Sequence, residues 1–185
     1  GSDSTAVGGL VVRNDLNGGT TASLSKVTLN SGGDVTLSAD ATQNLTAKAD
    51  STTSSSGGSA FGTGTSLAVN GVIVTNAVRG SAAATVTDGS VTTTGAGDDL
   101  NVLATNSSEI NAINNSSTNT GANAVGAMLA FNTLGYDPQN ILFNSVNALV
   151  GTNIGTATPI AATASVTNAP LTIGELRVDV AIAFG

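Results

Sequence analysis

The chain has 185 residues and a formal net charge of −7, and only 9% of its residues are charged and 3% aromatic. Five basic residues against twelve acidic ones argue against nucleic acid or an anionic membrane as a partner. The absence of Cys and His excludes disulfides and the commonest zinc ligands, and no apolar run is long enough to predict membrane insertion.

Taken from its start, the chain opens with Gly1 and Ser2, which we interpret as a cloning remnant, and continues as a single domain over residues 3–185. One pattern then occurs three times: small and apolar residues, a turn, a Gly-rich loop, an acidic residue and a strand of alternating apolar residues. Its copies are ASLSKVTLNSGGDVTLSAD from Ala22, ATVTDGSVTTTGAGDDLNVLAT from Ala84 and ASVTNAPLTIGELRVDVAIA from Ala164. The alternation predicts strands, and the repetition predicts that equivalent residues such as Leu37, Val102 and Val178 stack in one column.

A second element precedes each copy. LAVNGVIVTN begins at Leu67 and LAFNTLGYDP at Leu129, 62 residues later, with a weaker counterpart at Thr5. This spacing predicts units near 5–66, 67–128 and 129–185. Because Ala84 and Ala164 are 80 residues apart, we place an 18-residue insertion between 129 and 164.

The insertion has the pattern of one short amphipathic α-helix near 137–150. Asp137 is an N-cap candidate, Pro138 suits the first helical position and Gly151 a C-terminal stop. The helix either covers apolar surface or forms a binding loop. In the second case Tyr136, Asp137, Gln139 and Asn140 would contact a glycan or a host surface protein.

The composition and the repeat predict an all-β fold, a β-solenoid in which strands of successive coils stack. A 62-residue unit containing five or six short strands must make two coils of about 31 residues or three of about 21. We favour two, which gives about six coils in all.

Nearly the whole chain, residues 6–184, resembles a known family of repeat proteins. The ordered series LAVN, AAATVTDGSVTTTGAGDDLNVLATNSSEINAI and GANAVGAMLAFNTLGYDPQNILFNSVNALVG resembles the β-strand-repeat regions of giant bacterial surface adhesins, the leukotoxin-like and filamentous-haemagglutinin-like proteins. Tyr136 stands where that family's insertion motif usually has Trp. The resemblance implies a right-handed parallel β-helix, an extracellular or cell-surface location, neighbouring repeats of a longer parent chain as partners, and no catalytic residues.

The stretch TGAGDDLNV, residues 94–102, resembles one calcium-binding nonapeptide repeat. Asp98 and Asp99 are therefore the candidate calcium ligands, and the alternative is a polar turn. If each unit holds two coils, the aligned acidic residues Asp34, Asp99 and Glu175 lie about 10 Å apart, too far to share an ion. Negative charges beside stacked strands also discourage edge-to-edge aggregation.

No enzymatic activity is predicted, because no basic residue aligns beside a recurrent acidic one and no cluster of titratable residues converges. Asn70 and Asn132, aligned across units, are expected to form an amide ladder or simple turn contacts. The sequence therefore predicts a non-catalytic structural or adhesive segment without a cofactor. The alternatives are a binding module that uses residues 137–151 and a calcium-stabilised repeat.

Overall fold

The computed structural model describes residues 2–56, 64–135, 145, 148 and 160–185. These residues form an all-β structure of parallel sheets. Its ten strands are β1 (Ser4–Ser25), β2 (Thr28–Ser31), β3 (Val35–Ser55), β4 (Ser66–Thr87), β5 (Ser90–Thr93), β6 (Leu100–Thr120), β7 (Asn123–Leu134), β8 (Ala161–Thr167), β9 (Leu171–Thr172) and β10 (Leu176–Phe184).

The strands build three parallel sheets, each with one strand or strand pair from every unit. The first sheet contains β1, β4 and, beyond β4, both β7 and β8; the second has the order β2-β5-β9 and the third β3-β6-β10. Each unit thus contributes one layer. The predicted column is confirmed, since Leu37 and Val178 both pair with Val102.

The prediction of about six coils is wrong, because each unit forms one layer and not two. Ser4 pairs with Ser66, 62 positions later, and Val35 pairs with Leu100, 65 positions later. The error came from counting five or six short strands in a unit. The first unit instead has two strands of 22 and 21 residues and one of four, far longer than the usual strand of about five or six.

Glycines in the long strands look like turn residues in the sequence, but they lie within the ladders. Gly18 pairs with Gly80 in the first sheet. A Cβ at Gly80 would overlap the Gln43 side chain and the Gly18 carbonyl. Glycine is therefore required at position 80 by close approach between layers and sheets, and it does not end the strand.

The corner between the first and second sheets has the same backbone conformation in every layer. Lys26, Asp88 and Asn168 adopt positive φ values of 56°, 52° and 49°. The N–H of Lys26 donates to Thr87, and that of Asp88 donates to Thr167. The repeated left-handed residue fixes where each layer turns, although lysine is poorly suited to this conformation.

The interior between the first and third sheets is divided into apolar and polar zones. The larger apolar zone adjoins the second sheet, and a smaller one lies nearer the middle of the long strands. Buried members of the larger zone are Ala39, Ala41, Ala82, Ala84, Val86, Val91, Leu100, Val102 and Ala104; those of the smaller are Ala49, Val72 and Val74. Both zones consist mainly of Ala and Val. Because these side chains are small, the first and third sheets must pack close together to fill the interior.

The third unit starts in a different register from the predicted one. Leu67 pairs with Asn123, whereas Leu129 pairs with Ile73, so the alignment of Leu67 with Leu129 is wrong by six positions. The offset between partners is 56 at Leu134 and 80 at Ala161, which places 24 extra residues between these two. The third unit begins six residues earlier than predicted, because the link between β6 and β7 is short. This early start reduces the apparent insertion from 24 residues to 18.

The predicted helix at 137–150 lies outside the described residues, apart from Ser145 and Ala148, which are both exposed. Both of these residues have helical backbone conformation. In the described part of the chain, no helix is both long and apolar enough to cross a membrane.

Candidate functional site

The candidate calcium residues lie in the loop between β5 and β6. One carboxylate oxygen of Asp98 accepts a hydrogen bond of 2.7 Å from the Gly95 N–H, and the Asp98 N–H donates to the Gly95 carbonyl at 3.3 Å. Gly97 closes the turn with φ of +93°. The Asp98 side chain is thus occupied in its own turn, and calcium binding at Asp98 and Asp99 stays an untested alternative.

The acidic row is more closely spaced than two coils per unit would allow. The N–H of Asp99 donates to the Asp34 carboxylate at 2.9 Å, and the Leu100 N–H donates to the Glu175 carbonyl at 2.9 Å. The expected spacing of about 10 Å is therefore wrong, since these residues occupy adjacent layers about 4.8 Å apart. Among the described residues, no group of three or more acidic side chains is arranged to hold a metal.

Aspartates of one layer repeatedly accept hydrogen bonds from the following layer. The acceptor and donor pairs are Asp3 with Thr65, Asp15 with Arg79, Asp34 with Asp99, Asp40 with Thr105, Asp50 with Asn115 and Asp88 with Asn168. Sequence reasoning missed this function of the acidic residues. The signal for it was available: five of the donors follow their aspartates by 62 to 65 positions, about one repeat length, and Asn168 follows Asp88 by 80 positions because the insertion lies between them.

These contacts favour the ionised carboxylates. The Thr65 N–H lowers the pKa of Asp3, and the Thr105 hydroxyl lowers the pKa of Asp40. Hydrogen bonds from Lys48, and then from Asn115, lower the pKa of Asp50. All three carboxylates are exposed, so solvent screening keeps each individual contribution to stability small.

A cluster of opposite charges lies on the outer face of the first sheet. Asp15 accepts hydrogen bonds from Arg13 at 3.1 Å and from Arg79 of the next layer. Burial opposes ionisation of Asp15, but the two arginines outweigh it and hold its pKa below the ordinary value. Asp15 is not a member of the recurrent acidic row, because its ladder partner is Ala77. The alignment of units therefore did not indicate these contacts: Arg13 lies two residues away on the same face and Arg79 lies diagonally in the next layer.

A ladder of asparagines runs through the interior, with members other than those predicted. Asn14 Nδ2 donates to Asn76 Oδ1 at 2.7 Å, and Asn76 Nδ2 donates to Asn132 Oδ1 at 2.8 Å. Asn132 thus joins Asn76, while Asn70 donates to the Ser116 hydroxyl in the opposite sheet. Each buried amide is satisfied by its neighbours, so the ladder favours one register of the layers.

A second polar contact separates the two apolar zones. Gln43 Nε2 donates to the Gly18 carbonyl at 2.9 Å, and Asn106 Nδ2 donates to the Gly80 carbonyl at 3.0 Å. Gly18 and Gly80 are ladder partners, so the same carbonyl position accepts an amide from the third sheet in two successive layers, although the two donors are offset by two positions. These amides fix the spacing between the sheets.

The predicted ligand-contacting residues Tyr136, Asp137, Gln139 and Asn140 lie outside the described residues. The two ends of their segment are described. Gly135, with φ of +69°, donates its N–H to the Val78 carbonyl. The Ile160 nitrogen lies 2.6 Å from the place that a Cβ would take at Gly135, so the segment leaves and rejoins the sheet at one point.

No family model, no curated protein and no solved structure matches this chain.

Proposed function

We propose that this chain is a segment of a right-handed parallel β-helix, a β-solenoid, and that it acts as a non-catalytic scaffold in a secreted or cell-surface bacterial protein. The observation that carries the proposal is the in-register stacking of three units in all three sheets. Val102 lies between Leu37 and Val178, and Val91 lies between Leu29 and Leu171. Repetition of one layer in this way produces a rigid rod.

The polar residues support the same function. Many amides and carboxylates of the described residues make contacts within or between layers, as in the asparagine ladder and the aspartate bridges. A scaffold needs such contacts and needs no convergent catalytic groups. The resemblance to surface adhesins supplies the location and the longer parent chain.

The stacking can be tested with engineered disulfides, because the chain has no Cys. Thr36 and Asn101 are ladder partners on the outer face, so their Cα atoms are about 4.8 Å apart and suit a disulfide. We expect the pair T36C/N101C to oxidise completely and to unfold at higher temperature. In the control T36C/L103C the second cysteine is displaced by two residues along β6. The distance between the two Cα atoms then exceeds about 7 Å, so this pair is expected to remain reduced.

Failure of the first pair to form, or equal oxidation of the control, would contradict the layer arrangement. Circular dichroism gives an independent check, since a scaffold requires a β spectrum and one cooperative unfolding transition; a mainly helical spectrum would overturn it. For location, antibodies raised against this chain are expected to label intact cells of the bacterium that carries it. Labelling only after cell lysis would contradict a surface role.

The alternative binding function is favoured by one observation, the closed base of the insertion at Gly135 and Ile160. An excursion that leaves and returns at one point can present a recognition loop without disturbing the sheets. The test replaces residues 136–159 by two glycines. The deletion variant should keep its β spectrum but lose its signal in a glycan array or a protein pull-down. Retained binding would exclude the insertion as the binding site.

A further inference from the structure

The outer face of the first sheet carries apolar side chains beside the base of the insertion. Alternate residues of β4, such as Val72 and Val74, are buried in the interior, so the intervening residues point outward. Five outward residues of β4 and its partner β7 form what we call the outer patch: Ile73, Thr75, Ala77, Leu129 and Phe131. The outer patch lies on the flank of the stack, so a layer above or below would not cover it.

Exposure on this face decreases along the strands toward the insertion. Val125, near the start of β7, is 55% exposed, whereas Leu129 and Phe131, which point the same way, are half-buried. In β4, Thr75 and Ala77 are buried although they point outward. The face is therefore most covered where the chain leaves β7.

A comparison within β4 shows that the neighbouring strands do not explain this burial. Ala77 is 4% exposed, whereas Ala83, which points outward from the same strand, is half-buried. Each of the two alanines lies between an Asp or Thr of β1 and a Thr of the third unit. The ladder partners are thus similar in size, and the difference requires a further contact at Ala77.

Outward cations show the same difference between faces. Arg13 of the first sheet and Lys48 of the third both belong to the first unit, and each pairs with an aspartate two residues later. Their side chains are 34% and 65% exposed. Arg79, two residues after Ala77 on the same face, is only 13% exposed. The covered region thus extends over the residues that border the outer patch.

The insertion starts and ends at this place, and its length suits the outer patch. Gly135 bonds to the carbonyl of Val78, the residue after Ala77, and Ile160 returns to the same point. A helix over 137–150 would be about 21 Å long, which matches about six residues of strand and reaches from Val78 back to the level of Val72. The nine residues 151–159 span up to about 30 Å when extended, enough to return to Ile160.

The chemistry of the insertion selects the same direction. Leu142, Val146, Leu149 and Val150 recur at helical spacing and would form one apolar side. Ala148, opposite this side, is exposed and has helical backbone conformation. In the other direction along the sheet, the outward residues of β4 and β8 are mainly Ser and Thr, so a helix there would bury less apolar surface.

We propose that the apolar side of residues 137–150 packs on the outer patch, so that the insertion lies along the flank of the first sheet. Contact between the two apolar surfaces removes both from water. The opposite side of the helix, which carries Ala148, faces the solvent. This inference adds a defined contact to the proposed scaffold and depends only on the arrangement of β4 and β7.

Thiol labelling tests the contact, because the chain has no Cys. A77C places one small thiol beneath the proposed contact, and A83C is the matched control on the same face of the same strand. We expect a maleimide to label A77C at least about tenfold more slowly than A83C, which corresponds to about 1.4 kcal/mol. Replacing residues 136–159 by two glycines should remove this protection of A77C and leave the labelling rate of A83C unchanged.

Two substitutions in the insertion separate docking from helix formation. V146N changes the apolar side of the predicted helix, and A148N changes the opposite side. V146N should raise the labelling rate of A77C at least about tenfold, because a buried valine contributes more than this factor represents. A148N should raise it by at most about threefold, through the lower helix propensity of Asn relative to Ala.

Three results would overturn the proposal: equal labelling of A77C and A83C, protection of A77C that persists after the deletion, or an effect of V146N no larger than that of A148N. Circular dichroism of each variant checks that the β structure is retained. None of these results would bear on the scaffold, because the disulfide experiment tests β3 and β6 separately.

Discussion

The column of Leu37, Val102 and Val178 gives the most direct test of the layered packing. The same substitution, Val→Ala, can be made at its centre and at its end. Val102 is fully buried between its two partners, whereas Val178 is 43% exposed and, among the residues that the structure describes, has a partner on one side only. The two variants therefore differ in burial while the chemistry of the change is identical.

The expected magnitudes follow from these exposures. Removing two methyl groups costs about 0.8 kcal/mol each in transfer free energy. A cavity closed on both sides raises the total for V102A to about 2–3 kcal/mol. At Val178 about half of the transfer term is already lost to solvent and no closed cavity forms, so V178A should cost about 0.5–1 kcal/mol.

Thermal unfolding followed by circular dichroism measures the difference. For a chain of this size about 2–4 °C is lost per kcal/mol, so V102A should unfold about 4–12 °C below the parent and V178A within about 4 °C of it. Equal shifts in the two variants, or a larger shift for V178A, would refute the placement of Val102 between two layers.

Four further outcomes are expected. N76A should lower the free energy of unfolding by about 2 kcal/mol, because two buried hydrogen bonds of the asparagine ladder are lost. N132A, at the exposed end of the ladder, should lower it by less than half as much. Urea titration measures both values, and a larger loss for N132A would contradict the ladder. K26N should raise stability by about 0.5–1 kcal/mol, since Asn tolerates positive φ better than Lys; a loss of stability would count against the left-handed corner. Stability should fall as the pH drops below about 4. Carboxylates whose pKa is lowered on folding stabilise the fold at pH values above their unfolded-state pKa, and they lose this effect as they are protonated. D15N should reduce the loss of stability at low pH, and a pH profile identical to the parent's would argue against the arginine contacts. Addition of 5 mM calcium should leave the melting temperature unchanged, whereas a site with a dissociation constant of about 0.1 mM would stabilise by about 2 kcal/mol.

The sequence predicts the parts of the fold in which apolar alternation and loops recur together. The strand ends at Val35, Leu100 and Leu176 pair as the alignment requires. The alignment predicts this pairing because an apolar residue at every second position marks the inward face of a strand. A shift of the register by one residue would turn these apolar side chains toward solvent. The parallel, all-β class follows from the same pattern.

The number of layers could not be read in this way. Gly, Asn and Thr within β1 and β4 have the composition of turns, and only the opposing sheet shows why they lie in strands. The third-unit register failed for a related reason: LAFN matches LAVN in letters, but the asparagine ladder aligns Asn132 with Asn76. Buried amides thus outweighed the similarity of the apolar residues.

The contacts of Asp15 also lay beyond sequence alignment. Arg13 and Arg79 reach it along the strand and diagonally between layers, and these relations exist only once the spacing of layers is known. The candidate residues Asp98 and Asp99 were correctly located in a Gly-rich turn between strands. Their side-chain contacts depend on the local backbone, which the sequence did not specify.

The pairing of each strand with one more than fifty residues away has a consequence for biosynthesis. The first long ladder, between β1 and β4, joins residues 62 positions apart, so a chain emerging from one end cannot close any sheet until a whole second unit has appeared. Closure over such distances is slow. Once one layer exists, however, it offers a complete template edge, and every later unit can add to it as it arrives.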